Sequence, residues 1–189
     1  DGIAALARQA RDVGRRYQRD VTVTISVSSH VPKPHTPFQW AGMDGLEEID
    51  RKQRRLAGTA KAWNLKFKRH DMRVSHIEGI LARGDDRFAD LLEDVWRRGA
   101  RFDGWDDELR WDAWLESLDA FEARHGISRA AVLGTMPTDA RFPWDHIDVG
   151  LEDGFLLREY RKALANRLSP PCGKPFRASV DHTNLQDAH

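Results

Sequence analysis

Cysteine is almost absent: Cys172 is the only one in 189 residues. A disulfide within the chain is thereby excluded, and a reducing, cytoplasmic setting is expected. Net charge is missing too, because 30 Lys and Arg balance 30 Asp and Glu. That argues against a non-specific nucleic-acid binder or a polybasic membrane surface, and leaves room only for a local basic patch. No apolar run approaches a membrane span, and no stretch reads as a signal peptide. GxSxG, HExxH, paired CxxC and glycine-rich phosphate loops are all lacking, which removes the most diagnostic signatures of hydrolases, zinc sites and nucleotide sites. Internal repeats and low-complexity tracts are lacking as well.

What is present is enough chain for one ordinary domain with a real core, and seven tryptophans to fill it. The first residue is Asp1 rather than Met, a helical pattern starts at once, and the last residues form no closing element. The expectation is a piece of a longer polypeptide.

The stretch Val21 to Trp40 stands out. Val21, Val23, Ile25 and Val27 alternate with Thr22, Thr24, Ser26 and Ser28, a period of two with β-branched apolar members. That predicts a strand with one apolar face and one face of small hydroxyls. Prolines at 32, 34 and 37 then end the ladder and stiffen a loop that carries Lys33 and His35. Loops at the C-terminal ends of parallel strands are where barrel enzymes keep their sites.

Around this stretch the pattern alternates helix and strand. Ile3, Leu6, Ala7, Ala10, Val13 and Tyr17 predict an amphipathic helix whose arginines (Arg8, Arg11, Arg15, Arg16) face solvent. Asp44 with Glu47 reads as a capping box opening a helix to about Trp63, and Leu65 to Arg69 as a short strand. Ser75 with Glu78 reads as a second capping box. A further helix is expected from about Asp86 to Arg98. Phe102 to Trp105 reads as a turn. Asp106 is expected to cap a helix with an inward Trp111–Trp114–Leu118–Phe121 stripe, ending at Gly126. Residues 127 to 151 read as irregular, and Glu152 to Leu168 as a last helix before a polar tail. Such alternation is the mark of α/β architecture.

Candidate chemistry is sparse. His70-Asp71, His76 and Asp145/His146/Asp148 are metal-ligand types without a diagnostic spacing, so no metal site is assigned. Arg83 and Arg87 flank a Gly-Asp-Asp turn, suited to an anion or to each other's acids. Cys172 lies in a Pro-Pro-Cys-Gly turn far from any organised histidine.

The run Ser26-Val27-Ser28-Ser29-His30-Val31-Pro32-Lys33-Pro34-His35-Thr36-Pro37-Phe38-Gln39-Trp40 resembles the late-barrel strand and loop of radical S-adenosylmethionine (SAM) proteins. The likeness is to the uncharacterised group with an upstream cobalamin-binding domain. The related methylthiotransferases carry a glycine where His35 stands. Residues 75–87, Phe102-Asp103-Gly104-Trp105 and Pro143-Trp144-Asp145-His146-Ile147 are similar to the same group.

The resemblance implies a fold and an activity. Residues 1–85 would be the last helix–strand units of a partial (β/α)6 TIM-like barrel, 86–169 a helical extension, and 170–189 a tail. The whole enzyme would cleave SAM reductively at a [4Fe-4S] cluster held by a CxxxCxxC motif, with cobalamin as a second cofactor of the group. With one cysteine, this chain alone would be inactive and would supply barrel wall. Ser26, Ser28, Ser29, His30 and Val31 would lie near the bound cofactor. Lys33, His35, Arg69 and Arg83 would meet a carboxylate or an anionic substrate, with RNA suggested by analogy with the methylthiotransferases. The partner would be the rest of the same polypeptide: the cobalamin-type domain and the early barrel.

Two other readings compete. One is a non-catalytic binding module, in which exposed Trp111 and Trp114 and the Pro-Lys-Pro-His loop form a groove for peptide or RNA. The other, weaker, is a hydrolytic metal site built from His70, His76 and Asp145.

Overall fold

The computed structural model describes residues 2–105 and 107–168. The expected tail, 170–189, with Cys172, lies outside the described residues. Nine elements follow in order: α1 (Gly2–Gly14), β1 (Thr24–Val27), α2 (Leu46–Ala62), β2 (Lys66–Arg69), α3 (Met72–Arg83), α4 (Phe88–Arg97), α5 (Trp111–His125), α6 (Arg129–Leu133) and α7 (Phe155–Leu164). None of the described helices is long and apolar enough to cross a membrane.

The α/β alternation produces a small parallel unit. β1 and β2 pair parallel, Thr24 with Lys66, Ile25 with Phe67, Ser26 with Lys68 and Val27 with Arg69. They are joined through α2, as parallel strands require a crossover. Among the described residues the sheet has only these two strands, so the expected barrel is not displayed, only a β–α–β piece of α/β type. The apolar faces of both strands meet α1 and α2 in one cluster: Ala4, Ile25, Ala60 and Leu65, with Val23, Val27, Leu56 and Phe67 at its margin.

α1 departs from its amphipathic reading. Ile3, Leu6, Val13 and Tyr17 are exposed, whereas Ala4 and Arg11 are buried. Small Ala4 lets the helix sit close to the strand, and the Arg11 guanidinium donates to the Trp63 carbonyl.

Most of the core is elsewhere. Ile49 of α2, Ile77 and Ile80 of α3, Phe88, Leu91 and Val95 of α4, Trp114, Leu118 and Phe121 of α5, and Val132 and Leu133 of α6 form one cluster. The division expected at residue 85 runs through this cluster. α6 sits inside the segment read as irregular. Ser128 caps it by accepting from the Ala130 N–H at 3.1 Å, so five residues suffice to place Val132 and Leu133. A third cluster, Trp40, Phe142, Trp144 and Tyr160, ties the proline loop to α7.

Both capping boxes are replaced. α2 starts after Gly45, and Asp44 accepts instead from the Lys52 ammonium at 2.5 Å. α3 starts one turn early because Asp71 caps it, accepting from the Arg73 N–H at 2.7 Å. Ser75 and Glu78 therefore lie inside the helix. α4, α5 and α7 begin at Phe88, Trp111 and Phe155, later than the capping signals suggested, and α7 ends earlier, at Leu164.

Candidate functional site

The site to consider is the C-terminal end of β1 and the loop after it. Alternation along β1 buries Ile25 and exposes Thr24 and Ser26. The parallel register sets Lys66 and Lys68 beside them on the same open face, both exposed. Past Val27 the chain leaves the sheet, and buried Pro32 anchors the turn.

The loop is held by backbone and amide bonds. Thr36 Oγ1 donates to the Lys33 carbonyl at 2.8 Å, and the Gln39 N–H to the Thr36 carbonyl at 3.0 Å. Gln39 is buried, and its Oε1 accepts from the His35 N–H at 3.1 Å and from Trp144 Nε1 at 3.0 Å. His35 has φ +54°. That left-handed backbone favours glycine. The Met43 N–H donates to the Leu133 carbonyl at 2.8 Å and the Met136 N–H to the Trp40 carbonyl at 2.9 Å. One distant segment, residues 133–136, thus clamps the loop's far end through two backbone bonds.

The residues expected at a cofactor divide. Ser28, Ser29 and His30 line a half-open cavity of about 260 Å³, together with Ile3 of α1, Ile49, Lys52, Gln53 and Leu56 of α2, and Asp44. The Ser29 hydroxyl is buried there without a hydrogen-bond partner among the described residues. Ser26 sits on the open face instead, and Val31 packs into the main core. Lys52 stands at the cavity with its ammonium held above its ordinary pKa, chiefly by the hydrogen bond to Asp44.

Of the four residues expected to meet an anion, Lys33 and Arg83 are committed elsewhere, Arg69 in part, and His35 is not. Lys33 pairs with Glu78 of α3. Arg69 follows the strand's alternation to the α2 side, where it donates to Gln53 Oε1 at 3.3 Å. Arg83 is buried and spends its guanidinium on two carbonyls, Ala41 at 2.6 Å and Gly134 at 2.9 Å. Burial pushes its pKa down, though an arginine stays charged. His35 keeps a buried Nε2 without a partner among the described residues. Arg83 is thus a tie within the fold, not a free anion ligand. Missed by the sequence reading were Lys66 and Lys68. The alternation in Leu65-Lys66-Phe67-Lys68-Arg69 was a signal, but their shared face with Thr24 and Ser26 needed the register.

The metal-ligand types do not assemble. No group of three His, Cys, Asp or Glu able to hold an ion occurs among the described residues. His76 is buried against Trp111, and burial, then the Arg129 charge, holds its pKa below the ordinary histidine value. Asp71 is the α3 cap, and the Arg73 hydrogen bond keeps its carboxyl below the usual range. His70 Nδ1 lies 3.0 Å from Ser75 Oγ, a nucleophile–base contact in outline. Ser75 is only 1% exposed, so its hydroxyl is closed to substrate.

The binding-module reading expected Trp111 and Trp114 to be exposed, and the structure does not expose them. Trp114 is buried and Trp111 half-buried, because their side of α5 faces α3 and α4. The exposed tryptophans are Trp96 and Trp105. What this arrangement offers chemically is an open hydroxyl–lysine sheet face and a small polar-rimmed cavity, both on one β–α–β unit. No family model, curated protein or solved structure matches the chain.

Proposed function

We propose that this chain is the late-barrel segment of a radical SAM enzyme, supplying pocket wall to a reactive centre built by other residues of the same polypeptide. The observation that carries the reading is the parallel pairing of β1 and β2 through α2, with small hydroxyls on the open face and helices on the other. In a barrel whose lumen holds a cofactor, the branched face would pack on the outer helices and the small hydroxyl face would line the lumen, since interior and exterior positions alternate along each strand. An antiparallel pair, or hydroxyls packed on a helix, would have ruled it out. The exposed Ile3, Leu6 and Val13 on α1 fit a helix that has further structure to cover.

The cofactor groups fit only in part. One cysteine cannot hold a [4Fe-4S] cluster, which takes several thiolates, so no step through the cluster is assigned to this chain. The chain's own contribution is binding. Ser28, Ser29 and His30 offer hydroxyl and imidazole groups at the strand end, and the buried Ser29 hydroxyl is a donor in want of an acceptor. That cavity lies at the strand end against α1 and α2, whereas Thr24 and Ser26 stand on the open face.

The test uses the longer polypeptide. It should carry CxxxCxxC ahead of Asp1, take up iron and sulfide anaerobically, and release 5′-deoxyadenosine from SAM on one-electron reduction. A polypeptide without that motif, or a loaded protein that releases none, sinks the proposal.

A further inference from the structure

The open face of the β1–β2 sheet has a charge that neither strand discloses alone. Thr24 and Ser26 stand beside Lys66 and Lys68 in register, all four exposed. Neither lysine forms an ion pair among the described residues, whereas Lys33, Lys52 and Lys162 each hold a carboxylate. No Asp or Glu occurs in either strand, and among the described residues no carboxylate forms a salt bridge with either ammonium group. Two unpaired ammonium groups on one short strand make a local positive potential that an anion would meet.

We infer that this face binds the sugar–phosphate backbone of a single-stranded nucleic acid. Lysines two apart on a strand have Cα atoms about 6.7 Å apart, comparable with successive phosphates along an extended strand. The hydroxyls lie about 4.8 Å to the side, where they donate to phosphate oxygens or exchange hydrogen bonds with 2′-hydroxyls, the usual work of Ser and Thr in such contacts. A lone phosphate would use one ammonium and leave the other unpaired. No aromatic shares the face, so bases are not stacked and the binding is backbone-led and salt-sensitive. The zero net charge is compatible with this, because the basic character is local. The inference rests on the geometry of β1 and β2 rather than on radical chemistry. If the barrel proposal also holds, the substrate is an oligonucleotide.

The experiment is fluorescence anisotropy of a short labelled single-stranded RNA with the 189-residue chain, at about 50 and about 200 mM salt. The Lys66→Gln/Lys68→Gln double variant should bind at least about tenfold more weakly at low salt, and its log–log salt slope should flatten by about 1.4, at about 0.7 per phosphate contact. Both positions are exposed, so circular dichroism should show an unchanged fold. Lys61→Gln, on exposed α2 surface, should bind like the parent. Absence of binding by the parent overturns the inference, as does a double variant with the parent's affinity and slope. Displacement of the RNA by inorganic phosphate at equal phosphate concentration would also overturn it, by making the site one for isolated phosphate. RNA binding in a polypeptide that never cleaves SAM keeps this inference and sinks the radical one, and the converse result separates them the other way.

Discussion

His35 is a residue whose backbone outweighs its side chain. Its φ of +54° puts it where a β-carbon is crowded, and histidine tolerates that better than branched residues do. Its N–H also feeds Gln39, so the strained residue starts the amide link to Trp144. His35→Gly should leave the melting temperature nearly unchanged, because the conformation suits glycine. His35→Val should cost about 1–2 kcal/mol. Thermal unfolding of the two variants checks this, and equal losses would mean that the imidazole rather than the backbone matters.

At the scale of elements, Arg83 is one of the connections that hold the proline loop to the helical core, and the one made by a buried charge. It leaves α3 and reaches the carbonyls of Ala41, at the loop's far end, and Gly134, at the end of α6. The approach there is tight: a β-carbon on Gly42 would lie 2.9 Å from the Thr135 amide nitrogen. Removing the guanidinium leaves buried carbonyls without their charged donor, a loss of order 3 kcal/mol. Arg83→Met, which keeps much of the volume, should therefore lower the urea midpoint markedly. Arg87→Met, at an exposed turn, should do little. A silent Arg83→Met would return that arginine to the list of free anion ligands.

The whole molecule should lose stability in mild acid, and His76 is the reason. Burial, then the Arg129 charge, holds the folded imidazole below its ordinary pKa. The unfolded ring takes up its proton near pH 6.5. Its contribution is therefore complete above about pH 6.5 and is lost as pH falls through that value towards the folded one. The depressed carboxylates, Asp71 and Asp85 among them, act only below about pH 4, so the two windows separate. The urea midpoint should fall between about pH 7.5 and about pH 5.5, and His76→Leu should reduce that fall. An unaltered fall in the variant would place the titrating group elsewhere.

Local pattern in the sequence was enough for β1, for the parallel-capable strand Leu65–Arg69, for the aromatic core stripe of α5 and for its stop at Gly126, whose φ is +67°. Each depends on neighbours within a few residues, through side-chain alternation, helical period or a glycine's freedom. Helix starts were less legible, because several polar side chains compete to cap one end and tertiary contacts choose among them: Asp44 went to Lys52, and Asp71 displaced Ser75. The partners of charged side chains were least legible. Arg83, read as an anion ligand, is bonded to carbonyls 42 and 51 residues away. Lys66 and Lys68, passed over as half of a short strand, gain meaning only from the register with Thr24 and Ser26. Periodicity decides which face of an element a residue occupies. What lies opposite that face is decided by chain segments far away in sequence, and only their packing sets which charges are neutralised and which stay free.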